Sequence, residues 1–216
     1  MSKVTLVWST PDAEKVIAYC ARVSNPKNQD SANIQKLLAY CVKHKHWSIF
    51  EMASACFEIE TTRDIARQIL RHRSFSFQEF SQRYADPTTD LGFVVRDARM
   101  QDLKNRQNSI ETNDGALAAI WDSKQTEAIQ KAKEAYKWAI DNGIAKEQAR
   151  AVLPEGNTVS RMYMSGSLRS WLHYVTLRYG VETQKEHREI AKQIGVICNE
   201  LYPNIWSALC NTSSDC

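Results

Sequence analysis

The feature that most constrains the fold is a change of hydrophobic period inside one uninterrupted stretch. Over residues 50–60, Ala53, Ala55, Phe57 and Ile59 alternate with other residues, the two-residue period of a strand with one buried face. Thr61 and Thr62 then supply a helix start, and Ile65, Ile69 and Leu70 carry a helical apolar face to about residue 72. Elsewhere both periods recur without regular alternation. Residues 4–8 are strand-like, and Pro11 at a first helical position opens a helix to about residue 21. Leu37, Leu38, Cys41 and Val42 predict a helix over 34–44, and residues 91–95 read as a strand. Residues 75–83 are polar-aromatic with no clean period and read as a loop, and the polar residues 101–113 as a surface excursion. A long helix is expected over 116–141, stopped by Asn142 and Gly143, then a short one ending at Pro154. Residues 158–165 are strand-like, Ser167 caps a helix to 179, and a last helix runs from 183 through 201 until Pro203. Such an order favours an α+β fold over a doubly wound sheet. The expectation is one domain, 1–216, with a small mixed or antiparallel sheet packed against several helices.

Composition narrows the function. With 28 Lys and Arg against 25 acids, the balance is too even for a generic polyanion-binding tail, so any anion site must be local. No apolar run approaches eighteen residues, which leads us to expect an unexported, cytoplasmic chain without a membrane partner. Cys20, Cys41, Cys56, Cys198, Cys210 and Cys216 are widely spaced and form no Cys-x-x-Cys pair, so they are read as reduced, with neither a zinc site nor a disulfide framework. Seven glycines and no G-x-G-x-x-G argue against a Rossmann dinucleotide domain.

The informative region is 63–84. Arg63, Arg67 and Arg71 fall four apart and would line one helical face. Like charges at that spacing cost about 0.2–0.5 kcal/mol per pair, and only Glu60 and Asp64 are close enough in sequence to offset them, so an anionic ligand would remove the conflict. Gln68 adds an amide able to donate to and accept from a planar amide edge such as that of uracil. Arg71-His72-Arg73, seven residues, then Ser81-Gln82-Arg83 follow, with Glu79 between the clusters. Arginine forks suit phosphate better than the point charge of lysine. Taken singly, such arginines are ordinary surface charges, and His46, His72 and His173 are ordinary core or surface histidines rather than metal ligands.

The spacing Arg-His-Arg, seven residues, Ser-x-Arg closely resembles the signature of the flavin-dependent thymidylate synthases. The resemblance extends to three further stretches. His46-Trp47-Ser48-Ile49-Phe50-Glu51 is similar to the family's His-x-Ser/Thr-x-Phe-Glu, Glu147-Gln148-Ala149-Arg150-Ala151-Val152-Leu153-Pro154 to its Glu-x-Ala-Arg-x-x-Leu-Pro, and Ser167-Leu168-Arg169-Ser170 through His173 to Arg178 to its Asn-x-Arg-Ser stretch and following arginine. Ser167 stands where many members have Asn, and His173 where several have Asn or His; the hydrogen-bonding capacity survives. Position 82 is permissive in the family.

The resemblance implies an α+β homotetramer with active sites at subunit interfaces, binding FAD, dUMP, methylenetetrahydrofolate and NADPH. It places His46, Ser48, Arg71, His72, Arg73, Glu79, Ser167, Arg169 and His173 at the flavin. It places Gln68, Arg71, Glu79, Ser81, Gln82, Arg83, Arg150 and Arg178 at the nucleotide. Arg178 is the catalytic candidate, an always-charged guanidinium that would stabilise negative charge on the pyrimidine ring; no cysteine nucleophile and no metal are expected. A nucleic-acid module using Phe75, Phe77, Phe80 and Tyr84 for base stacking stays an alternative, predicting no chromophore and steep salt dependence. A flavoprotein of the family without synthase activity is a second.

Overall fold

The computed structural model describes residues 2–211, so Cys216 lies outside the described residues. The chain is mixed α and β, and its main sheet has four strands in the order β1-β2-β6-β3: β1 (Lys3–Ser9), β2 (Ser54–Thr62), β3 (Ser76–Glu79) and β6 (Val159–Ser167). Two compact units divide the chain, with boundaries inside β2, β3 and β6. We call them the terminal unit, residues 3–59, 72–77 and those from 163 onward, and the central unit, residues 60–71 and 78–162 with Ser2.

In the terminal unit the helices are α1 (Ala13–Ala21), α2 (Gln35–Lys43), α7 (Leu168–Arg178), α8 (Lys185–Leu201) and α9 (Pro203–Cys210). Helix α2 packs on α9, α9 on α8, and α8 on α7 and β1. The buried side of α8 is Ile190, Ala191, Ile194 and Cys198, at helical spacing. Trp171 is wholly buried and satisfies its indole by donating Nε1–H to the Ala55 carbonyl at 3.1 Å. Buried Glu14 accepts from the Ile205 amide at 2.9 Å and from Asn204 Nδ2 at 2.6 Å. Its carboxylate thereby caps the N-terminus of α9, where backbone N–H groups are orphaned and negative charge is favoured. Pro203, expected as a stop signal, occupies the first turn of α9 instead, because proline there removes only an N–H that would be unpaired anyway.

In the central unit the helices are α3 (Arg63–Ile69), α4 (Pro87–Asp90), α5 (Gly115–Asp141) and α6 (Lys146–Ala149). Tyr136 and Ala139 of α5 pack with Ala149 and Leu153 in a buried cluster, and the partly buried Phe93 and Ile140 pack against it. The expected excursion over 101–113 carries the second strand of a hairpin, in which β4 (Arg99–Gln101) pairs antiparallel with β5 (Ser109–Glu111). The strand expected over 91–95 is reduced to a single bridge from Phe93 to Thr158. Arg96 ties this unit together. It donates to Asp64 Oδ1 at 2.6 Å, Thr62 Oγ1 at 2.6 Å and the Gly156 carbonyl at 3.0 Å. No helix among the described residues is long and apolar enough to cross a membrane.

Candidate active site

In the central unit, helix α3 opens on Thr62, an extended N-cap residue, and ends at Ile69, three residues short of the expected end. Arg71 therefore leaves the helical face that Arg63 and Arg67 share. Those two cations are neutralised by carboxylates remote in sequence, not by Glu60 and Asp64. Arg63 meets Glu79 at 3.3 Å, and Arg67 donates Nε–H to both oxygens of Glu155 at 2.7 and 2.8 Å. Glu60 pairs with Arg161 at 3.0 Å and Asp64 with Arg96. Glu79 also accepts from Ser160 Oγ at 2.7 Å, so its half-buried carboxylate is held from two sides. Arg71 is exposed and makes no ion pair among the described residues.

The segment beyond α3 is more ordered than its sequence suggests, because Ser76–Glu79 form β3 and the Phe80 amide donates to the Arg161 carbonyl at 2.8 Å. Ser81 then turns the chain. Its carbonyl accepts from the amides of Tyr84 and Ala85, both at 3.1 Å. Gln82 is buried, its Nε2 without a hydrogen-bond partner among the described residues, while Arg83 is exposed and meets Glu147 at 3.5 Å. Gln68 and Arg150 are half-buried, Arg150 at the start of a 3-10 turn.

In the terminal unit His46 and Ser48 are exposed at the start of a 3-10 turn, and Lys45 just before them has left-handed backbone, φ 58°. Glu51 in that turn accepts from Arg169 Nη1 at 3.0 Å. This joins two stretches singled out separately in the sequence. Ser167 caps α7 as expected, its Oγ accepting from the Ser170 amide at 3.4 Å. His173 and Arg73 are exposed, and Arg73 has no ion pair among the described residues. Phe75 is buried, 4.5 Å from the Trp171 ring and 5.9 Å from Tyr174, and so is not available to stack on a base.

Arg178 donates Nε–H to His72 Nε2 at 2.9 Å. That nitrogen must be unprotonated while the bond stands, so the His72 proton sits on Nδ1. Around them are two residues the sequence reading passed over. His187 Nε2 lies 3.0 Å from the Tyr174 hydroxyl, with both side chains fully buried. Burial first, then the charge of Arg178 and the nearby His72, holds His187 neutral down to about 3. Burial likewise pushes the Tyr174 phenol well above its usual range. The one sequence sign of His187 is its place three residues before Ile190 on the apolar side of α8.

The sequence matches the family model of the thymidylate synthase complementing protein over residues 5–204. The chain belongs to this family. Among its relatives, the flavin-dependent thymidylate synthase of Synechocystis sp. is 50% identical over 196 residues, 91% of this chain and 89% of that protein. A relative from Paramecium bursaria Chlorella virus 1 is 47% identical over 198 residues, covering 91% and 90% of the two chains. The fold is also that of PolB, a UMP/dUMP methylase from Streptomyces cacaoi solved with 5-Br dUMP. Their TM-score is 0.84 with 28% identity, covering 98% of this chain and 95% of that one.

The cysteines of this chain bear on its chemistry, since a thiol attacking uracil needs a lowered pKa. Burial does the opposite at three of them. The Cys41 and Cys56 thiols are pushed up, and Cys198 is pushed up to about 12. No group of three or more His, Cys, Asp or Glu able to hold a metal ion occurs among the described residues.

Proposed function

We propose that this chain is a flavin-dependent thymidylate synthase, one domain that reductively methylates dUMP to dTMP. In this reading FAD is the hydride carrier, NADPH the reductant and methylenetetrahydrofolate the one-carbon donor, in a cytoplasmic homotetramer with active sites at subunit interfaces. One contrast among the arginines carries the reading. Arg63, Arg67, Arg83 and Arg169 each face a carboxylate, whereas Arg71, Arg73, Arg150 and the terminal nitrogens of Arg178 have none among the described residues. Cations left without protein counter-charges, in stretches resembling the ligand-binding stretches of the family, suit anionic ligands.

In the central unit, Arg71 and Arg150 would meet the dUMP phosphate and Gln68 the pyrimidine amide edge, with Ser81, Gln82 and Glu79 beside the nucleotide. Arg83 would join them readily, because its 3.5 Å pair with Glu147 is solvent-exposed on both sides and worth about 0–1 kcal/mol. A phosphate offers a charge-assisted, bidentate alternative. In the terminal unit, Arg73 would supply positive charge for the FAD pyrophosphate, and exposed His46, Ser48 and His173 would supply hydrogen-bonding groups. Ser167, His72 and Arg169 complete the set. Arg71 and Glu79 of the central unit belong, by the family resemblance, to the flavin set as well as to the nucleotide set. Bound flavin, when reduced, supplies hydride from N5. The chain's own task is to orient dUMP and to stabilise charge on its ring, through Arg178 at the N3–C4 edge. PolB, solved with 5-Br dUMP and with 5-Br UMP, supports a pyrimidine nucleotide as substrate.

The test is to strip flavin from the purified protein and measure dTMP formed from dUMP, methylenetetrahydrofolate and NADPH, before and after FAD is restored. The reading expects turnover that returns with FAD. Flavin-independent turnover, or none with all four ligands present, would overturn it.

A further inference from the structure

We propose that Tyr174 and His187 are positioning residues that fix the direction of the Arg178 guanidinium, acting through the ring of His72. The inference rests on the reading that Arg178 meets the pyrimidine of dUMP, and it concerns two residues outside the stretches that carried that reading. Among the described residues the Arg178 guanidinium is anchored only by its Nε–H, 2.9 Å from His72 Nε2, so the direction of its outer edge depends on where the imidazole is held. The Tyr174 ring stands edge-on to His72 at 4.8 Å with an interplanar angle of 74°. The His187 ring is perpendicular to His72 at 6.2 Å, and Phe75 is 6.4 Å away at 80°. Tyr174 and Arg178 are four apart on α7 and so project from the same face.

The 3.0 Å hydrogen bond between the Tyr174 hydroxyl and His187 joins α7 to α8. Thus three segments, residues 72–77, α7 and α8, converge on the His72 ring. A fully buried phenol without that bond would lose its partner and be free to tilt. Both members also stay uncharged at neutral pH, Tyr174 and His187 alike being held neutral by burial. The pair therefore stiffens the support without placing a second charge beside Arg178. A displacement of about 1 Å in such a group can cost on the order of 100-fold in rate, so a partial loosening should be visible in turnover.

The experiment uses Tyr174→Phe, His187→Leu and His187→Gln in flavin-loaded protein. For each, the solvent exchange of the Arg178 Nε–H is followed by NMR, and kcat, KM for dUMP and flavin content are measured on the same preparation. Tyr174→Phe keeps the ring and is the variant that stays informative if His187→Leu fails to fold. We expect exchange about tenfold faster and kcat about tenfold lower in Tyr174→Phe and His187→Leu, with flavin content kept and KM within about twofold. His187→Gln should recover most of both, because its amide can still bond the phenol. Unchanged exchange and kcat in Tyr174→Phe would overturn the proposal. So would a His187→Gln variant as impaired as His187→Leu, which would mark His187 as packing alone. If the wild type made no dTMP, the functional reading would fail while the exchange series still decided this one.

Discussion

Gly166, on β6, is expected to tolerate no side chain. A Cβ built there would lie 2.4 Å from Phe75 Cδ1 and 2.7 Å from Cε1, so the ring would have to retreat by about 1 Å to reach the 3.4 Å of ordinary contact. The ring has little room, being 9% exposed and packed on Trp171 and Tyr174 at 4.5 and 5.9 Å. Overpacking of this kind costs roughly 1–3 kcal/mol. For a chain of this length each kcal/mol lowers Tm by about 2–4 °C, so Gly166→Ala should lower it by about 2–12 °C. Thermal unfolding of Gly166→Ala, Phe75→Leu and the double variant forms a cycle. The clash predicts a favourable coupling, the double variant being more stable than the two single losses added together. A Tm for Gly166→Ala within about 1 °C of wild type, or additive losses, would refute the reasoning.

Two further outcomes are expected. His187 takes up a proton near pH 6.5 when unfolded but only near 3 when folded, so the unfolded chain binds more protons in between and stability falls as pH drops through that window. The slope is at most about 1.4 kcal/mol per pH unit, and His187→Gln should remove it; parallel Tm curves for the two proteins between pH 6.5 and 4 would contradict this. Replacing Cys20, Cys41, Cys56, Cys198, Cys210 or Cys216 singly with alanine or serine should leave substantial dTMP formation. One folded, flavin-loaded but inactive cysteine variant would reopen a thiol mechanism.

The long elements were legible because their periods are long enough to read. The alternation from Ala53 to Ile59 marked β2, and the Asn142-Gly143 stop marked the end of α5. Strand β3 was not, since four residues give only two positions per face, and the end of α3 was overshot because Leu70 continues the apolar spacing past the last helical residue. The arginine stretches stood out by spacing, yet which of them carry free charge could not be read. Glu155 lies 88 residues from Arg67 and Glu51 lies 118 from Arg169, so folding alone assigns those partners. His187 escaped notice for a related reason: a histidine on an apolar helical face resembles core packing until Tyr174 and His72 are seen beside it.

The most direct test of the account is Arg178→Ala, with flavin content, dUMP binding and dTMP formation measured on one preparation. If Arg178 stabilises charge on activated uracil, the variant keeps its fold and FAD but loses roughly 100- to 1,000-fold in turnover. Arg178→Lys should rescue little, since lysine keeps the charge without the planar fork. Near wild-type turnover in Arg178→Ala would contradict the account, and loss of FAD with misfolding would make Arg178 structural.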